Sequence, residues 1–320
     1  LIEKHAIEQA VTRVRQWLEP TPLVRSVALS ERLGANVYLK LETLQPTHSF
    51  KVRGAFNAMT CLDDAQRRRG VITASGGNHG LAVAYAAKML GVPATVYLPQ
   101  SATEAKLAPL RRLGPEVVIH GEAWDDANVL ALRVAAESGR SYIHPFDDLD
   151  VMAGQGTIAV EIAQQLPCVD LIVVSIGGGG LISGIASGAR HYLPGARVAG
   201  VETEGADSMH RSIAAGRIVE LPAITSIAET LGARKTGPVQ FDIVATLVRE
   251  LAVVSDAAAV ESLLQLLQQD KLLVEPAASC AVAALVTGKI RVRPGDNVVV
   301  VLCGANVSLD QVREWSARGR

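Results

Sequence analysis

Between Val71 and Ile143, short apolar runs rich in β-branched residues alternate with alanine-rich stretches of helical length. Val71–Ala74 (VITA), Ala94–Leu98 (ATVYL) and Glu116–Ile119 (EVVI) read as strands, and Ser141–Ile143 leads into a short one. The stretches His79 to Leu90, Lys106 to Leu113 and Asp125 to Ser138 read as the helices between them. Strands that alternate with helices pair in parallel, because each helix carries the chain back to the same end of the sheet. Gly91–Pro93 and Gly114–Pro115 stand where helices must stop. The pattern then resets. A helix over Gly154–Gln165 precedes Asp170–Ile176 (DLIVVSI), an almost wholly apolar strand of the kind covered on both faces. After a glycine run come a strand at Arg197–Val201, an amphipathic helix at Asp256–Asp270, a helix at Pro276–Thr287 and a buried strand at Asn297–Leu302. With 320 residues there is room for two such units. The expected fold is therefore α/β, with two interleaved open-sheet domains. Residues 1–48 with 150–320 form the large one and residues 49–149 the small one.

Composition removes several classes of function. Lys and Arg number 31 against 32 Asp and Glu, so no basic surface is expected and with it no nucleic-acid or membrane partner. Aromatics at 4% leave little for stacking on single strands. Cys61, Cys168, Cys280 and Cys303 include no CxxC pair, which fits a reducing, cytoplasmic setting. The amphipathic N-terminal segment lacks the apolar core of a signal peptide, and no regulatory module is expected after Arg320. Leu171–Ala189 is uncharged over 19 residues, but its six glycines make it a strand, a loop and a helix start rather than a membrane span.

Four segments carry chemistry. Lys51 lies in Ser49-Phe50-Lys51-Val52-Arg53-Gly54-Ala55, just before a helix expected over Val52–Leu62. Most lysines are solvated, but one held against apolar surroundings becomes a nucleophile or base. Ser75-Gly76-Gly77-Asn78-His79-Gly80 joins a strand to a helix, where free backbone N–H groups suit a carboxylate. Such a turn also serves as a plain helix cap, and His79 alone reads as a structural histidine. Gly177-Gly178-Gly179-Gly180-Leu181 follows the most apolar strand and lets the backbone approach a phosphate. It fails the dinucleotide spacing, since the third glycine would fall on Ile182 or Ser183, so Glu202 is not expected to hold a ribose and a monophosphate fits better. Cys303 ends the last strand, where a small buried thiol is the plain reading.

Taken together and in this order, the segments resemble the fold-type II pyridoxal-phosphate (PLP) enzymes, and within them the serine/threonine dehydratases. The resemblance runs from Thr21 through Asn306. It implies PLP in the cleft between the domains, with Lys51 forming the Schiff base and then serving as catalytic base. It implies a cofactor site of Phe50, Lys51, Asn78, Gly177–Gly180, Leu181 and Cys303, with Cys303 facing the pyridine nitrogen. It also implies a substrate site of Ser75, Gly76, Gly77, Asn78 and His79. The implied reaction turns an L-β-hydroxy amino acid of the threonine or serine type into a 2-keto acid and ammonia, in a homodimer or higher homo-oligomer.

Departures from the family pattern bear on specificity. His48 stands where glycine is common, and Ala228-Glu229-Thr230-Leu231 replaces the usual Ala-Asp-Gly. Bulkier or acidic substrates, 3-hydroxyaspartate or phenylserine, are therefore the alternative. Gly76 occupies the position of the serine that related racemases use as acid and base, so little racemisation is expected. A β-replacement synthase is the remaining rival on this fold, and it usually has Asn-Thr-Gly in place of Asn78-His79-Gly80. Glu202, Ala206 and Ser208 align with a divalent-cation site of some relatives, but Ser208 replaces an Asp and no metal is expected.

Overall fold

The computed structural model describes residues 1–318. The strands, in chain order, are β1 (Leu23–Arg25), β2 (Asn36–Leu41), β3 (Val71–Ala74), β4 (Ala94–Leu98), β5 (Glu116–Ile119), β6 (Ser141–Tyr142), β7 (Leu171–Ser175), β8 (Arg197–Thr203), β9 (Glu250–Val254) and β10 (Asn297–Leu302). They form two sheets, a larger one in the order β1-β2-β10-β7-β8-β9 and a smaller one in the order β5-β4-β3-β6. Every pairing is parallel except β1 with β2. The most apolar segments lie at the centre of the larger sheet: all of β7 and Val298–Leu302 of β10 are buried. β2 pairs with β10 in register from Asn36↔Asn297 to Leu41↔Leu302, so the N-terminal segment completes a sheet built mainly from the second half of the chain.

Helix–helix packing then brings the sheets together. Helix Leu149–Gln165 begins five residues before the expected Gly154, because the Asp148 side chain accepts the N–H of Val151 and caps it. Gly154 is no helix breaker here. A Cβ on it would lie 2.7 Å from the Cα of Gly54, so its role is close approach to helix Lys51–Cys61. The N-terminal helix Lys4–Val14 packs its buried stripe Ile7, Ala10 and Val14 beside the same region. The helix expected over Asp256–Asp270 is α-helical only to Gln265 and closes with a π turn, after which Lys271 takes φ 60°. Strands β1, β2 and β9 are not among those the sequence pattern predicts.

A buried ionic cluster fixes the first turn of helix Lys51–Cys61. Arg53 donates to Glu42 through Nε (2.7 Å) and Nη2 (2.9 Å) and to Glu161 through Nη1 (2.5 Å) and Nη2 (2.8 Å). Lys40 Nζ reaches Glu161 at 2.6 Å and the Thr21 carbonyl at 2.7 Å. Two cations meet two carboxylates with their hydrogen-bonding positions largely filled, which lets the charges stay buried. Among the described residues no helix is long and apolar enough to cross a membrane.

Candidate active site

In open α/β sheets, ligands bind beyond the carboxyl ends of the strands. The loops after β3, β7 and β10 hold Ser75–Gly77, Ile176–Gly179 and Cys303–Gly304. Lys51 is tied to the third of these. The Phe50 N–H donates to the Cys303 carbonyl at 3.0 Å, and Ser49 bridges Gly304 in antiparallel fashion. Lys51 is thus the first residue of its helix, fixed at the end of β10. Its Nζ donates to the Pro145 carbonyl at 2.7 Å and lies 5.1 Å from the centre of the Phe50 ring. Burial lowers its amine to about 8, with Cys303 and Glu275 opposing that shift only in part. This raises the neutral, nucleophilic fraction at pH 7 by more than about a hundredfold over an ordinary lysine.

Two helix starts face this region. Helix Asn78–Leu90 follows Gly77 and helix Gly180–Tyr192 follows Gly179, and neither has a side-chain cap. The first N–H groups of a helix have no partner within it, so each start is a socket for an anion. Gly179 has φ 94°, which a residue with a side chain rarely adopts. A Cβ on Gly178 would lie 2.3 Å from the Phe146 ring, which packs against the loop backbone. In the other loop the Ser75 hydroxyl accepts the Gly77 N–H at 3.3 Å. Gly76 has no side chain, and a Cβ there would meet Leu98 at 2.7 Å.

Side chains of the expected site separate into two groups. Asn78 points to the end of β10: its Nδ2 donates to Glu275 and its Oδ1 accepts from Asn306 Nδ2 at 2.6 Å. The Cys303 thiol is buried and donates to the Ala277 carbonyl at 3.6 Å, and burial raises it well above its ordinary value, so it is neutral. His79 turns away instead, with Nε2 donating to the Ile143 carbonyl at 2.9 Å. Burial, helped by nearby Lys51, lowers it to about 3, so the ring is neutral and structural. Leu181 likewise places its side chain in the core of the larger sheet.

Glu202 and Ser208 engage groups of the protein itself. The Glu202 carboxylate accepts the N–H groups of Met209 (2.9 Å) and His210 (2.6 Å), while Ser208 Oγ donates to the Ala233 carbonyl. Among the described residues no three His, Cys, Asp or Glu side chains gather as metal ligands.

Sequence reasoning missed Glu275, His144, Pro145 and Phe146. Glu275 is buried, held by Asn78 and by the Thr230 hydroxyl at 3.1 Å, and burial raises it to about 7 despite those bonds. One signal was available: Glu275 is the lone charge in the apolar stretch Leu272–Ala281.

A buried amine shifted toward its neutral form, two helix starts without side-chain caps and a neutral buried thiol together fit pyridoxal phosphate. Residues 14–304 match the family model described as "Pyridoxal-phosphate dependent enzyme". An L-threonine ammonia-lyase of Geobacter sulfurreducens is 42% identical over 98% of this chain and 78% of its own length. Maize serine racemase is similar in structure with a TM-score of 0.93 and 32% identity, covering 98% of this chain and 96% of that one. The processed threonine deaminase isoform 2 of Solanum lycopersicum gives 0.92 and 31%, covering 98% and 94%. The chain belongs to the pyridoxal-phosphate-dependent enzyme family.

Proposed function

We propose that the chain is an ammonia-lyase that converts an L-β-hydroxy amino acid of the threonine or serine type to a 2-keto acid and ammonia. The observation that carries this reading is buried Lys51, whose Nζ donates at 2.7 Å to the Pro145 carbonyl, in the same turn that packs Phe146 against Gly178 of the glycine loop. Gly177–Gly180 and the backbone of Leu181 take the cofactor's phosphate. Ser75–Asn78 and the backbone of His79 take the substrate carboxylate. Phe50, Asn78 and the neutral thiol of Cys303 would hold the cofactor's ring. The bound cofactor supplies the electron withdrawal that acidifies the substrate's Cα. Lys51 would hold the cofactor, and its free Nζ amine would be the base that takes the Cα proton. The β-hydroxyl leaves as water, and one water returns as the nitrogen departs as ammonia. L-Threonine therefore gives 2-oxobutanoate and ammonia with no oxidant.

Elimination is favoured over racemisation because Gly76 offers no proton donor opposite Lys51. The test is to incubate the PLP-loaded protein with L-threonine and L-serine, and to follow keto acid, ammonia and the chirality of residual substrate. Keto acid should form at least about 100-fold faster than D-isomer, since a positioned acid or base contributes roughly 10²–10⁴-fold. Comparable rates would replace the lyase reading with a racemase. Including 3-hydroxyaspartate and phenylserine in the same screen ranks the substrates.

The lobes are taken as residues 1–48 with 150–320 and residues 49–149, a division supported by the membership of the two sheets. We place the enzyme in a reducing cytoplasm, in keeping with four free cysteines. A homo-oligomer is also proposed, since Val24 and Val27, on and beside the edge strand β1, are 44% and 60% exposed. Sedimentation of the loaded protein checks this; a monomer at micromolar concentration would contradict it.

A further inference from the structure

The chain crosses from the smaller sheet toward helix Leu149–Gln165 through a turn, His144-Pro145-Phe146-Asp147, that touches both halves of the site. Three contacts radiate from it. The Pro145 carbonyl accepts from Lys51 Nζ at 2.7 Å. The Phe146 ring packs against Gly178, and the Phe146 carbonyl accepts from Gln240 Nε2 at 2.7 Å. Gln240 also donates to Asp147 Oδ1 at 3.2 Å. What shapes the turn is its first side chain. His144 Nδ1 accepts two backbone N–H groups, from Phe146 at 3.2 Å and from Asp147 at 2.7 Å. Its ring also meets the Phe146 ring edge to face, with centroids 4.7 Å apart.

We propose that His144 is a positioning residue, whose Nδ1 ties the 144–147 turn into the shape that presents the Pro145 carbonyl to Lys51 and holds Phe146 against Gly178. The inference rests on the reading of Lys51 and Gly177–Gly180 as the cofactor's contacts. A nitrogen that accepts two N–H groups carries no proton, so the ring's proton is on Nε2. Burial supports this by lowering the imidazole to about 4. The pattern is the one an Asn or Asp oxygen makes in a short turn, where the side chain accepts from the backbone two residues on. Oδ1 of Asn is as many bonds from Cβ as Nδ1 of His. Asn can therefore substitute for the acceptor without the ring, while Leu fills space without any acceptor.

The experiment compares the full-length protein with His144→Asn, His144→Leu and His144→Gln. Two quantities are read: amide hydrogen exchange at Phe146 and Asp147, and equilibrium affinity for pyridoxal phosphate. In His144→Leu both amides should exchange at least about tenfold faster and the affinity should fall at least about tenfold, the scale of one or two lost hydrogen bonds. His144→Asn should stay within about threefold of the unmutated protein on both measures. His144→Gln, whose acceptor lies one methylene farther out, should behave as a loss, and it decides the matter against Asn if the Leu variant does not fold. Unchanged exchange in Leu and Gln, or an Asn variant as impaired as they are, would overturn the proposal. Failure of the underlying reading looks different: the cofactor would be trapped on a lysine other than Lys51 while the exchange pattern still reported on the turn.

Discussion

Asn78 and Glu275, 197 residues apart in the chain, meet side chain to side chain, the carboxamide nitrogen donating to the two carboxylate oxygens at 2.9 and 3.3 Å. Glu275 also accepts from Thr230, and the Asn306 carboxamide reaches back to Asn78. This polar chain couples the loop after β3 in one sheet to the loop after β10 in the other. Its central carboxyl is raised to about 7 by burial.

That value has a consequence for stability. An acid whose folded value lies above its ordinary value near 4.5 binds its proton more tightly when folded. Its contribution is favourable at low pH and is lost as pH rises through about 4.5 to 7. Glu275→Gln removes the titration while keeping an acceptor for Thr230 and Asn78. Denaturant midpoints at pH 5 and pH 8 should show the unmutated protein losing ground to the variant at the higher pH. An equal difference at both values would mean that Glu275 does not titrate in this window.

At the glycine loop, Gly178→Val drives a side chain into Phe146, and Gly179→Val forces a φ of 94° on a β-branched residue. A left-handed backbone costs roughly 1–2 kcal/mol for such a residue, so pyridoxal-phosphate affinity should fall about tenfold or more. Titration of the cofactor's visible absorbance measures it. Binding as tight as in the unmutated protein would show that the loop does not hold the phosphate.

The cluster around Arg53 should be the most sensitive point outside the site. Arg53→Ala leaves Glu42 and Glu161 buried with only Lys40 to balance them, and breaking a buried pair in this way costs roughly 3–5 kcal/mol. Urea unfolding of the full-length protein tests it, and a loss below about 1 kcal/mol would place the cluster among interactions of surface strength.

The parallel order of both sheets was legible because β7 and β10 are apolar on both faces and β3, β4 and β5 alternate with helices. β1 was not legible: it has three residues, and Val24 faces solvent at the sheet edge. The start of helix Leu149–Gln165 was misplaced because Gly154 reads as punctuation in sequence, whereas here it meets Gly54 across a helix contact. The position of Lys51 at a helix start and of the glycine loops beyond strand ends was legible through their local motifs. Glu275 and His144 were not, since their partners are set by tertiary contact or by turn geometry that no residue pattern announces. His48 falls between: its φ of 56° shows why glycine suits that position, and its exposed ring makes no part of the site's hydrogen-bonded chain.

The most direct measurement is reductive trapping. Borohydride treatment of the PLP-loaded protein, followed by peptide mapping, should place the reduced cofactor on Lys51, and Lys51→Ala should lose both the label and keto-acid formation. A label on another lysine, or full turnover by Lys51→Ala, would contradict the account.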